Sequence, residues 1–281
     1  MMTVNDLFRY GFKKLSESEI EDPEFDARCL VEYCLGFNTS EFFIKRNELI
    51  TSDKEEEYRG LIARRCNREP LQYIIGKWEF YSNEFYVGEG VLVPRPETEM
   101  IIDEVKKLLI KKPRATVVDF CSGSGCIAIT IAKLFPDVKV YAVEKYDEAY
   151  GYILRNIHLN HVTNVIAIKG DVFDTEVLGD IKPDLIVSNP PYIRSEDICT
   201  LDAEVLNEPH TALDGGVDGL EFYRILADYW FTLYLNEDTA MILECAEDQA
   251  AEIVELISAN AKKTEILLDF NGLQRVVKAF K

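Results

Sequence analysis

The stretch Pro183-Asp184-Leu185-Ile186-Val187-Ser188-Asn189-Pro190-Pro191-Tyr192 decides the fold of this chain. Its first half is apolar and β-branched, which predicts a buried strand that ends in the Asn-Pro-Pro-Tyr motif. Proline has a fixed φ and no N–H, and Pro191 also biases Pro190 toward an extended conformation. The side-chain oxygen of Asn189 and the carbonyl of Pro190 are therefore two acceptors in set directions, which could hold a planar NH2 group. A turn that only ends the strand is the alternative.

Around this strand, the chain alternates strands and helices. Such alternation predicts an α/β domain with a mostly parallel, doubly wound sheet covered on both faces. The predicted strands are 116–120, 139–143, 164–168, 184–188 and 239–243, and the predicted helices are 97–110, 125–134, 147–159, 219–235 and 248–257. The tail predicts two further strands, 265–270 and 275–280, joined around Asn271-Gly272. This hairpin signal predicts that at least one closing strand is antiparallel.

Residues 1–75 predict a small all-helical domain. Thr3 and Asp6 have the spacing of a capping box, and Asp22 before Pro23 is an N-cap followed by proline at the first helical position. Two further helices are predicted to start at Ser40 and at Ser52, the latter ending before Pro70. The second helix is predicted to bury Phe25, Cys29, Leu30, Tyr33 and Cys34.

Residues 76–90 predict a linking β-hairpin with a two-residue turn at Ser82-Asn83, and residues 91–281 the catalytic domain. With 281 residues, 47% hydrophobic and 29% charged, the chain has the composition of a soluble globular protein. No apolar run approaches the roughly 20 residues of a membrane span, and the first residues lack the layout of a signal peptide. We therefore expect a cytoplasmic protein that contacts no membrane.

Cysteine and charge content limit the possible partners. The seven cysteines include no C-x-x-C pair, so we expect reduced thiols and no metal site. The net charge is −19, and residues 195–260 hold 16 acidic residues against the single cation Arg224. Such a surface repels phosphate, so DNA is not an expected partner. The cluster of Arg59, Arg64, Arg65 and Arg68 fits either an acidic partner or a solvated helix face.

A glycine-rich loop follows the first predicted strand. It runs Asp119-Phe120-Cys121-Ser122-Gly123-Ser124-Gly125, and its glycines allow a ligand to approach the backbone at a helix N-terminus. Glu144 ends the next strand, where a carboxylate can accept both hydroxyls of a ribose. After the third strand, Asp171 can accept from an adenine amino group, and Val172 offers a backbone N–H and apolar contact. These features predict a nucleoside cofactor at the carboxyl edge of the sheet.

The glycine-rich loop by itself is also compatible with other functions. Gly123-x-Gly125-x-x-Ala128 also fits the G-x-G-x-x-G/A pattern of dinucleotide enzymes, so a nicotinamide dehydrogenase remains a rival. A tight turn that binds nothing is the structural alternative. A dehydrogenase gives no reason for Asn-Pro-Pro-Tyr, however, and a non-enzymatic cofactor-binding protein has no need of it.

Taken together, the loop, the two acids and Asn189-Pro190-Pro191-Tyr192 resemble a class I, Rossmann-like S-adenosylmethionine-dependent methyltransferase that acts on a planar nitrogen. Three further features resemble the protein-(glutamine-N5) methyltransferases: the segment Leu92-Val93-Pro94-Arg95-Pro96-Glu97-Thr98-Glu99, the segment Glu208-Pro209-His210-Thr211-Ala212-Leu213 and the helical N-terminal domain. That family modifies the Gly-Gly-Gln glutamine of class 1 peptide chain release factors. The chain departs from its pattern at Cys121, where glycine is usual, and at Glu144, where aspartate is commoner.

The resemblance implies a reaction and a set of residues. It implies S-adenosyl-L-methionine as methyl donor, S-adenosyl-L-homocysteine as product and a class 1 release factor as protein substrate. No metal is expected, because the sulfonium already carries a good leaving group, and we expect a monomer. Helical modules beside an α/β core often supply specificity, so residues 1–75 are predicted to dock the substrate. Catalysis is predicted for Asn189, Pro190 and Tyr192, and substrate binding for these three residues together with Pro191. Cofactor binding is predicted for Asp119, Cys121, Ser122, Gly123, Ser124, Gly125, Glu144, Asp171, Val172, Asn189, Leu92 and Arg95. Arg95 either contacts the cofactor or fastens its loop to an acid.

Two nucleic-acid enzymes remain as alternatives. An adenine-N6 DNA methyltransferase also uses an Asn-Pro-Pro-Tyr edge, because adenine presents the same planar NH2 group. A ribosomal RNA guanine-N2 methyltransferase is the second alternative. Both need a basic recognition surface, and the chain has 31 basic against 50 acidic residues.

Overall fold

The structure, a computed structural model, describes residues 2–281 and divides into two compact units. The helical unit contains the residues up to Lys77 together with Asp202–Asn207, and the catalytic unit contains Trp78–Leu201 and Glu208–Lys281. The inclusion of Asp202–Asn207 in the helical unit is a feature to which no sequence signal pointed. Among residues 2–281, no helix has the length and apolarity required to cross a bilayer.

Five helices build the helical unit: α1 (Val4–Glu17), α2 (Pro23–Leu35), α3 (Thr39–Ile44), α4 (Ser52–Cys66) and α5 (Leu71–Ile75). The predicted caps of α1 and α2 are present: Thr3 and Asp6 form a capping box, and the Asp22 side chain accepts from the amide of Phe25. The cap predictions for the next helices were wrong by one or two residues. Asn38 caps α3 with Glu41 as its capping-box partner, and Thr51 caps α4.

Two other helical predictions also differ from the structure. Helix α4 ends at Cys66, and Pro70 is the N-terminal cap residue of the short helix α5, with an extended ψ of 134°. In α2, Leu30 and Cys34 are buried, whereas Phe25 and Tyr33 are 37% and 46% exposed. The unit is too small to cover every apolar face of its helices.

A buried ion pair holds the inserted segment to the helical unit. Arg65 is 3% exposed, and its guanidinium contacts the carboxylate of Asp26 at 2.5 Å and that of Glu204 at 2.6 Å. Asn207 adds a hydrogen bond from its side-chain amide to the carbonyl of Arg68. One member of the predicted basic cluster therefore lies inside the unit, where it pairs with acids of this chain.

The predicted hairpin is present, but its turn is shifted by one residue. Strands β1 (Lys77–Phe80) and β2 (Asn83–Tyr86) are joined by Tyr81 and Ser82, with φ of 50° and 59°. Tyr81 is held in this strained conformation by tertiary contacts: its amide donates to Glu99 at 2.6 Å and its hydroxyl to Asp103 at 2.8 Å. These contacts override the preference for asparagine in such a turn.

A seven-stranded sheet forms the centre of the catalytic unit, in the order β5-β4-β3-β6-β7-β9-β8. Its strands are β3 (Thr116–Phe120), β4 (Lys139–Glu144), β5 (Val165–Lys169), β6 (Leu185–Ser188), β7 (Ala240–Glu244), β8 (Lys263–Leu268) and β9 (Gln274–Phe280). The first five are parallel, and β9 is antiparallel to both β7 and β8, as the tail hairpin predicted. Because the chain crosses from β5 to the other side of β3 at β6, a crevice opens at the carboxyl ends of β3, β4 and β6.

Helices cover both faces of the sheet. One face packs on α6 (Glu99–Leu109), α7 (Cys126–Leu134) and α8 (Asp147–Leu159), and the other on α9 (Glu221–Ile225), a π-helix (Leu226–Tyr234) and α10 (Ala250–Ser258). The predicted helix 97–110 is a 3₁₀ turn, Pro96–Thr98, followed by α6. The predicted α-helix 219–235 was wrong in type for its second half. The wider π register places Trp230 under Phe120, with ring centroids 4.7 Å apart.

A buried lysine joins the last strand to α6. The Nζ atom of Lys278 lies 2.8 Å from a carboxylate oxygen of Glu104 and 2.7 Å from one of Glu265. We expect Lys278→Met to lower the free energy of unfolding by about 3 kcal/mol, the low end for breaking a buried pair, because Glu104 keeps Lys107 and Glu265 keeps Lys263 as partners. Urea unfolding measures the effect, with the exposed Lys262→Met as matched control. Equal stability of the two variants would contradict this account.

Candidate functional site

A cavity lies at the carboxyl ends of β3, β4 and β6, where the sequence predicted a cofactor site. It encloses about 920 Å³, including space open to solvent. Ten of the predicted cofactor residues line it: Leu92, Arg95, Cys121, Ser122, Gly123, Ser124, Glu144, Asp171, Val172 and Asn189. The structure therefore brings together side chains that are as far as 97 positions apart in the sequence. Pro191, predicted to bind substrate, also lines the cavity. The remaining predicted site residues do not line it: Asp119, Gly125, Pro190 and Tyr192.

The glycine-rich loop is a tight turn between β3 and α7. The amide of Ser122 donates to the carbonyl of Val143 on β4, and that of Gly125 to the carbonyl of Ser122 at 2.8 Å. Gly123 and Gly125 have φ of 56° and 79°, a region that suits glycine. Gly125 is also the N-terminal cap of α7, so the loop presents its backbone to the cavity at the start of a helix.

Asp119 is buried beneath this loop. Neither of its carboxylate oxygens makes a hydrogen bond of normal geometry among the described residues. Burial raises the pKa of this carboxyl to about 8, and the nearby hydroxyl of Ser122 and amide of Ala128 only partly oppose the rise. A buried polar group without a partner is costly, so its retention calls for a function. A cationic ligand in the adjacent cavity would interact favourably with the ionised form.

The carboxylate of Glu144 is held from both sides. One oxygen accepts from the amide of Tyr146 and the other from that of Gly123, each at 2.9 Å. Burial raises the pKa of Glu144, and these backbone donors oppose the shift. Each oxygen keeps a free lone pair, so the carboxylate can accept a pair of neighbouring hydroxyls in a fixed geometry.

Asp171 has a partner that the sequence analysis missed. Its side chain accepts from the amide of Phe173 at 3.0 Å and pairs with the ammonium of Lys145 at 2.8 Å. Lys145 directly follows Glu144 and also lines the cavity, and this adjacency was the only signal available in the sequence. Below the site, the indole N–H of Trp230 donates to the carbonyl of Val172 at 2.8 Å and fixes the backbone there.

Hydrogen bonds from distant parts of the chain hold the Asn-Pro-Pro-Tyr segment in place. The side-chain amide of Asn189 donates to the hydroxyl of Thr98 at 3.2 Å, and the carbonyl of Tyr192 accepts from the side chain of Gln249 at 2.9 Å. Gly215 packs so close that an added Cβ would lie 2.7 Å from the Cα of Tyr192. Larger side chains there would displace the segment, so the motif depends on elements far along the chain.

Arg95 fastens its loop to an acid, which is one of the two roles that the sequence allowed. Its guanidinium pairs with one oxygen of Glu208, and the other oxygen accepts from the amide of Val93 at 2.8 Å. The side chain of Glu208 is 3% exposed. Sequence analysis named the segment that contains Glu208 but not this role. Glu208 therefore sets the position of the loop that carries Leu92 and Arg95.

Histidine and cysteine side chains offer little chemistry here. Residues 2–281 contain no group of three or more His, Cys, Asp or Glu side chains arranged for a metal ion. His210 is an exposed residue whose Nδ1 lies 3.8 Å from the carboxylate of Asp214. Cys121 and Cys126 line the cavity, and burial raises the pKa of both thiols.

These thiols should therefore resist alkylation. At mildly alkaline pH we expect iodoacetamide to modify the exposed Cys199 well before Cys121, because the thiolate is the reactive form. Peptide mass spectrometry of the native protein measures the order of modification. The urea-unfolded protein is the control, in which both cysteines should react alike. Faster labelling of Cys121 in the native protein would contradict the burial argument.

Comparisons with known proteins agree with this arrangement. Residues 6–76 match the family model described as "PrmC N-terminal domain", and residues 100–205 match "TRM5/TYW2 methyltransferase domain". The chain is 38% identical over 266 residues to a release factor glutamine methyltransferase of Geobacter sulfurreducens, covering 94% of this chain and 91% of the relative. It is 37% identical over 238 residues to the protein of that name from Thermodesulfovibrio yellowstonii, covering 82% and 83%.

Solved structures support the fold alone. A methyltransferase from Pyrococcus furiosus is 20% identical with a TM-score of 0.51, covering 72% of this chain and 90% of that one. The hMettl16 catalytic domain, in complex with MAT2A 3′UTR hairpin 6, is 14% identical with a TM-score of 0.56, covering 70% and 75%. Both likenesses fit the α/β architecture of the catalytic unit.

Proposed function

The chain belongs to the release factor glutamine methyltransferase family, and we propose that its cavity positions S-adenosylmethionine beside the glutamine of a Gly-Gly-Gln motif. The observation that carries the proposal is the meeting of Asn189 and Glu144 in one cavity wall. Asn189 is suited to hold an amide and Glu144 to hold a ribose. The substrate is a class 1 peptide chain release factor, and the product of the cofactor is S-adenosylhomocysteine.

The residues present fit this cofactor. The glycine turn leaves room for a close approach to the backbone, and the two oxygens of Glu144 are oriented to accept the ribose hydroxyls. Burial raises the pKa of Asp119 to about 8, and a cationic ligand in the adjacent cavity would stabilise its ionised form. We assign the adenine end to Asp171 and Val172. Leu92 and Arg95 line the same cavity from their own loop.

When bound, S-adenosylmethionine supplies an electrophilic methyl group whose sulfonium leaves as a neutral thioether. The chain must supply orientation, because the lone pair of an amide nitrogen is delocalised and weakly nucleophilic. We propose that the side-chain oxygen of Asn189 and the carbonyl of Pro190 each accept one N–H of the substrate amide. The NH2 group is then fixed with its face toward the methyl carbon. Orientation of this kind can supply roughly 7–11 kcal/mol in favourable cases.

Positive charge develops on the nitrogen during transfer. The dipoles of the two acceptors stabilise that charge, and the ring of Tyr192 adds a cation–π contribution of about 0.5–2 kcal/mol. Pro191 lines the cavity and keeps the two neighbouring residues rigid. The excess proton leaves to solvent, because the motif contains no side chain that acts as a base at neutral pH.

Family membership and charge together favour a protein substrate over the alternatives. An adenine-N6 DNA or guanine-N2 RNA methyltransferase would have to bind phosphate with a chain of net charge −19. A dehydrogenase would leave the Asn-Pro-Pro-Tyr edge without a role. We propose a cytoplasmic monomer that binds its release factor through the helical unit and binds neither DNA nor membrane.

Methyl transfer to a purified release factor tests the proposal. The protein is incubated with the factor and isotopically labelled S-adenosylmethionine, and the digested factor is analysed by mass spectrometry. One labelled methyl on the Gly-Gly-Gln glutamine is expected. A release factor with that glutamine replaced by asparagine is the matched control and should stay unlabelled. Label on another residue, or none on the glutamine, would refute the substrate assignment.

A further inference from the structure

Thr98 is a buried residue that contacts Asn189, the first residue of the Asn-Pro-Pro-Tyr segment. It is the last residue of the 3₁₀ turn before α6, and its side chain is 1% exposed. Its hydroxyl oxygen accepts a hydrogen bond from the side-chain amide of Asn189 at 3.2 Å. Its other polar neighbour is the carboxyl group of Glu244. Burial raises the pKa of Glu244 to about 7, and hydrogen bonding to Thr98 opposes that rise.

Sheet register places Glu244 beside Asn189. Ser188 on β6 pairs with Leu243 on β7, so the next residue of each strand lies at the same level of the carboxyl edge. Glu244 is 1% exposed, and its Oε2 atom has no hydrogen-bond partner among the described residues. The free energy cost of burying this carboxylate is not repaid by an ion pair of its own. A role as acceptor toward Thr98 gives a reason for its presence.

The hydrogen bonds that link Glu244, Thr98 and Asn189 limit how the side-chain amide of Asn189 can be rotated. A hydroxyl has a single proton, and the carboxylate of Glu244 in its ionised form can only accept. When the proton of Thr98 is directed to Glu244, its oxygen can only accept from Asn189. The NH2 end of the asparagine amide must then face Thr98, and its oxygen must face the opposite way.

We propose that Thr98, oriented by Glu244, is a positioning residue that sets the rotation of the Asn189 amide so that its oxygen faces the substrate. The flipped amide would present NH2 to an NH2 group, which repels the substrate instead of holding it. This inference rests on the proposed function, in which the oxygen of Asn189 accepts from the glutamine. To that function the inference adds Thr98 as the residue that selects the productive orientation of the Asn189 amide.

Removal of the hydroxyl tests the inference. Thr98→Val keeps the volume and the β-branch but loses the donor and the acceptor, and Thr98→Ser keeps both. We expect Thr98→Val to lower kcat about 10- to 100-fold, since small errors in orientation have effects of that size. The Kd for S-adenosylmethionine and the KM for the release factor should stay within severalfold of wild type. Thr98→Ser should restore most of kcat.

Thr130→Val is the matched control. Thr130 is a fully buried threonine of α7 whose hydroxyl has no partner in the described part of the chain, so its loss should leave kcat and KM unchanged. If Thr98→Val is too unstable to purify, Thr98→Ala removes the same hydroxyl and should show the same fall in kcat. Thermal unfolding and cofactor titration of each variant establish that the compared proteins are folded.

The outcomes separate the inference from the proposed function. Wild-type kcat in Thr98→Val and Thr98→Ala, with methyl transfer lost in Asn189→Ala, would overturn the role of Thr98 and leave the function intact. Equal losses in Thr98→Val and Thr98→Ser would also overturn it, because a hydroxyl would then be irrelevant. Absence of glutamine methylation by the wild-type protein would refute the proposed function itself.

Discussion

Asn189→Ala is expected to lower kcat for methyl transfer about a thousandfold, the effect of about 4 kcal/mol in the barrier. The variant removes one of the two acceptors that we propose hold the substrate amide, so the nitrogen would no longer be aimed at the methyl group. That loss is a part of the roughly 7–11 kcal/mol that orientation can supply. Single-turnover transfer of labelled methyl to a release factor measures it.

Cofactor binding should change far less in the same variant. Asn189 is one residue of a wide cavity wall, and the acceptors on Glu144 remain in place. We therefore expect the Kd for S-adenosylmethionine, measured by calorimetry, to stay within severalfold. The exposed Asn236→Ala is the matched control and should keep wild-type kcat. Turnover near wild type in Asn189→Ala would refute the role given to this side chain.

Glu144→Ala should raise the Kd for S-adenosylmethionine about 100-fold. The proposed hydrogen bonds from two ribose hydroxyls to the carboxylate are lost, and a net contribution of about 1.5 kcal/mol from each, the lower end of the range for charged acceptors, corresponds to that change in Kd. The amides of Gly123 and Tyr146 also lose their common acceptor, so two loops of the cavity become less ordered. At saturating cofactor, kcat should be close to wild type, because the role proposed for Glu144 is toward the ribose and not toward the substrate amide.

Stability gives a second measurement for Glu144→Ala. Burial raises the pKa of this carboxyl, so its ionised form disfavours the folded state near neutral pH, and this cost disappears as pH falls and the group is protonated. Removal of the group abolishes this cost, which offsets part of the stability lost with the two backbone hydrogen bonds, so the Tm of the cofactor-free protein should fall only slightly at neutral pH. The exposed Asp137→Ala is the control for loss of one negative charge. Wild-type affinity in Glu144→Ala would contradict the ribose assignment.

Local signals predicted much of the fold. The strand Thr116–Phe120 and the helix Asp147–Leu159 have the predicted bounds, because each is defined by its own periodicity and flanking residues. The caps at Thr3 and Asp22 were also predicted, since a cap depends on neighbours three residues away. Errors arose where a distant contact prevailed over local preference, as at Tyr81, which Glu99 and Asp103 hold in the hairpin turn.

The sequence by itself determined that a glycine turn, two acids and the Asn-Pro-Pro-Tyr edge meet at one end of a parallel sheet. Parallel strands must bring their carboxyl ends to one edge, so the order of motifs along the chain suffices for that conclusion. Only the tertiary structure decided which side chains pair with these motifs and hold them in position. Lys145 pairs with Asp171, Glu208 holds the loop of Arg95, and Thr98 contacts Asn189 across 91 positions of chain. Hydrogen bonds between loops depend on distances and directions in the folded state, and residue types in a sequence do not contain that information.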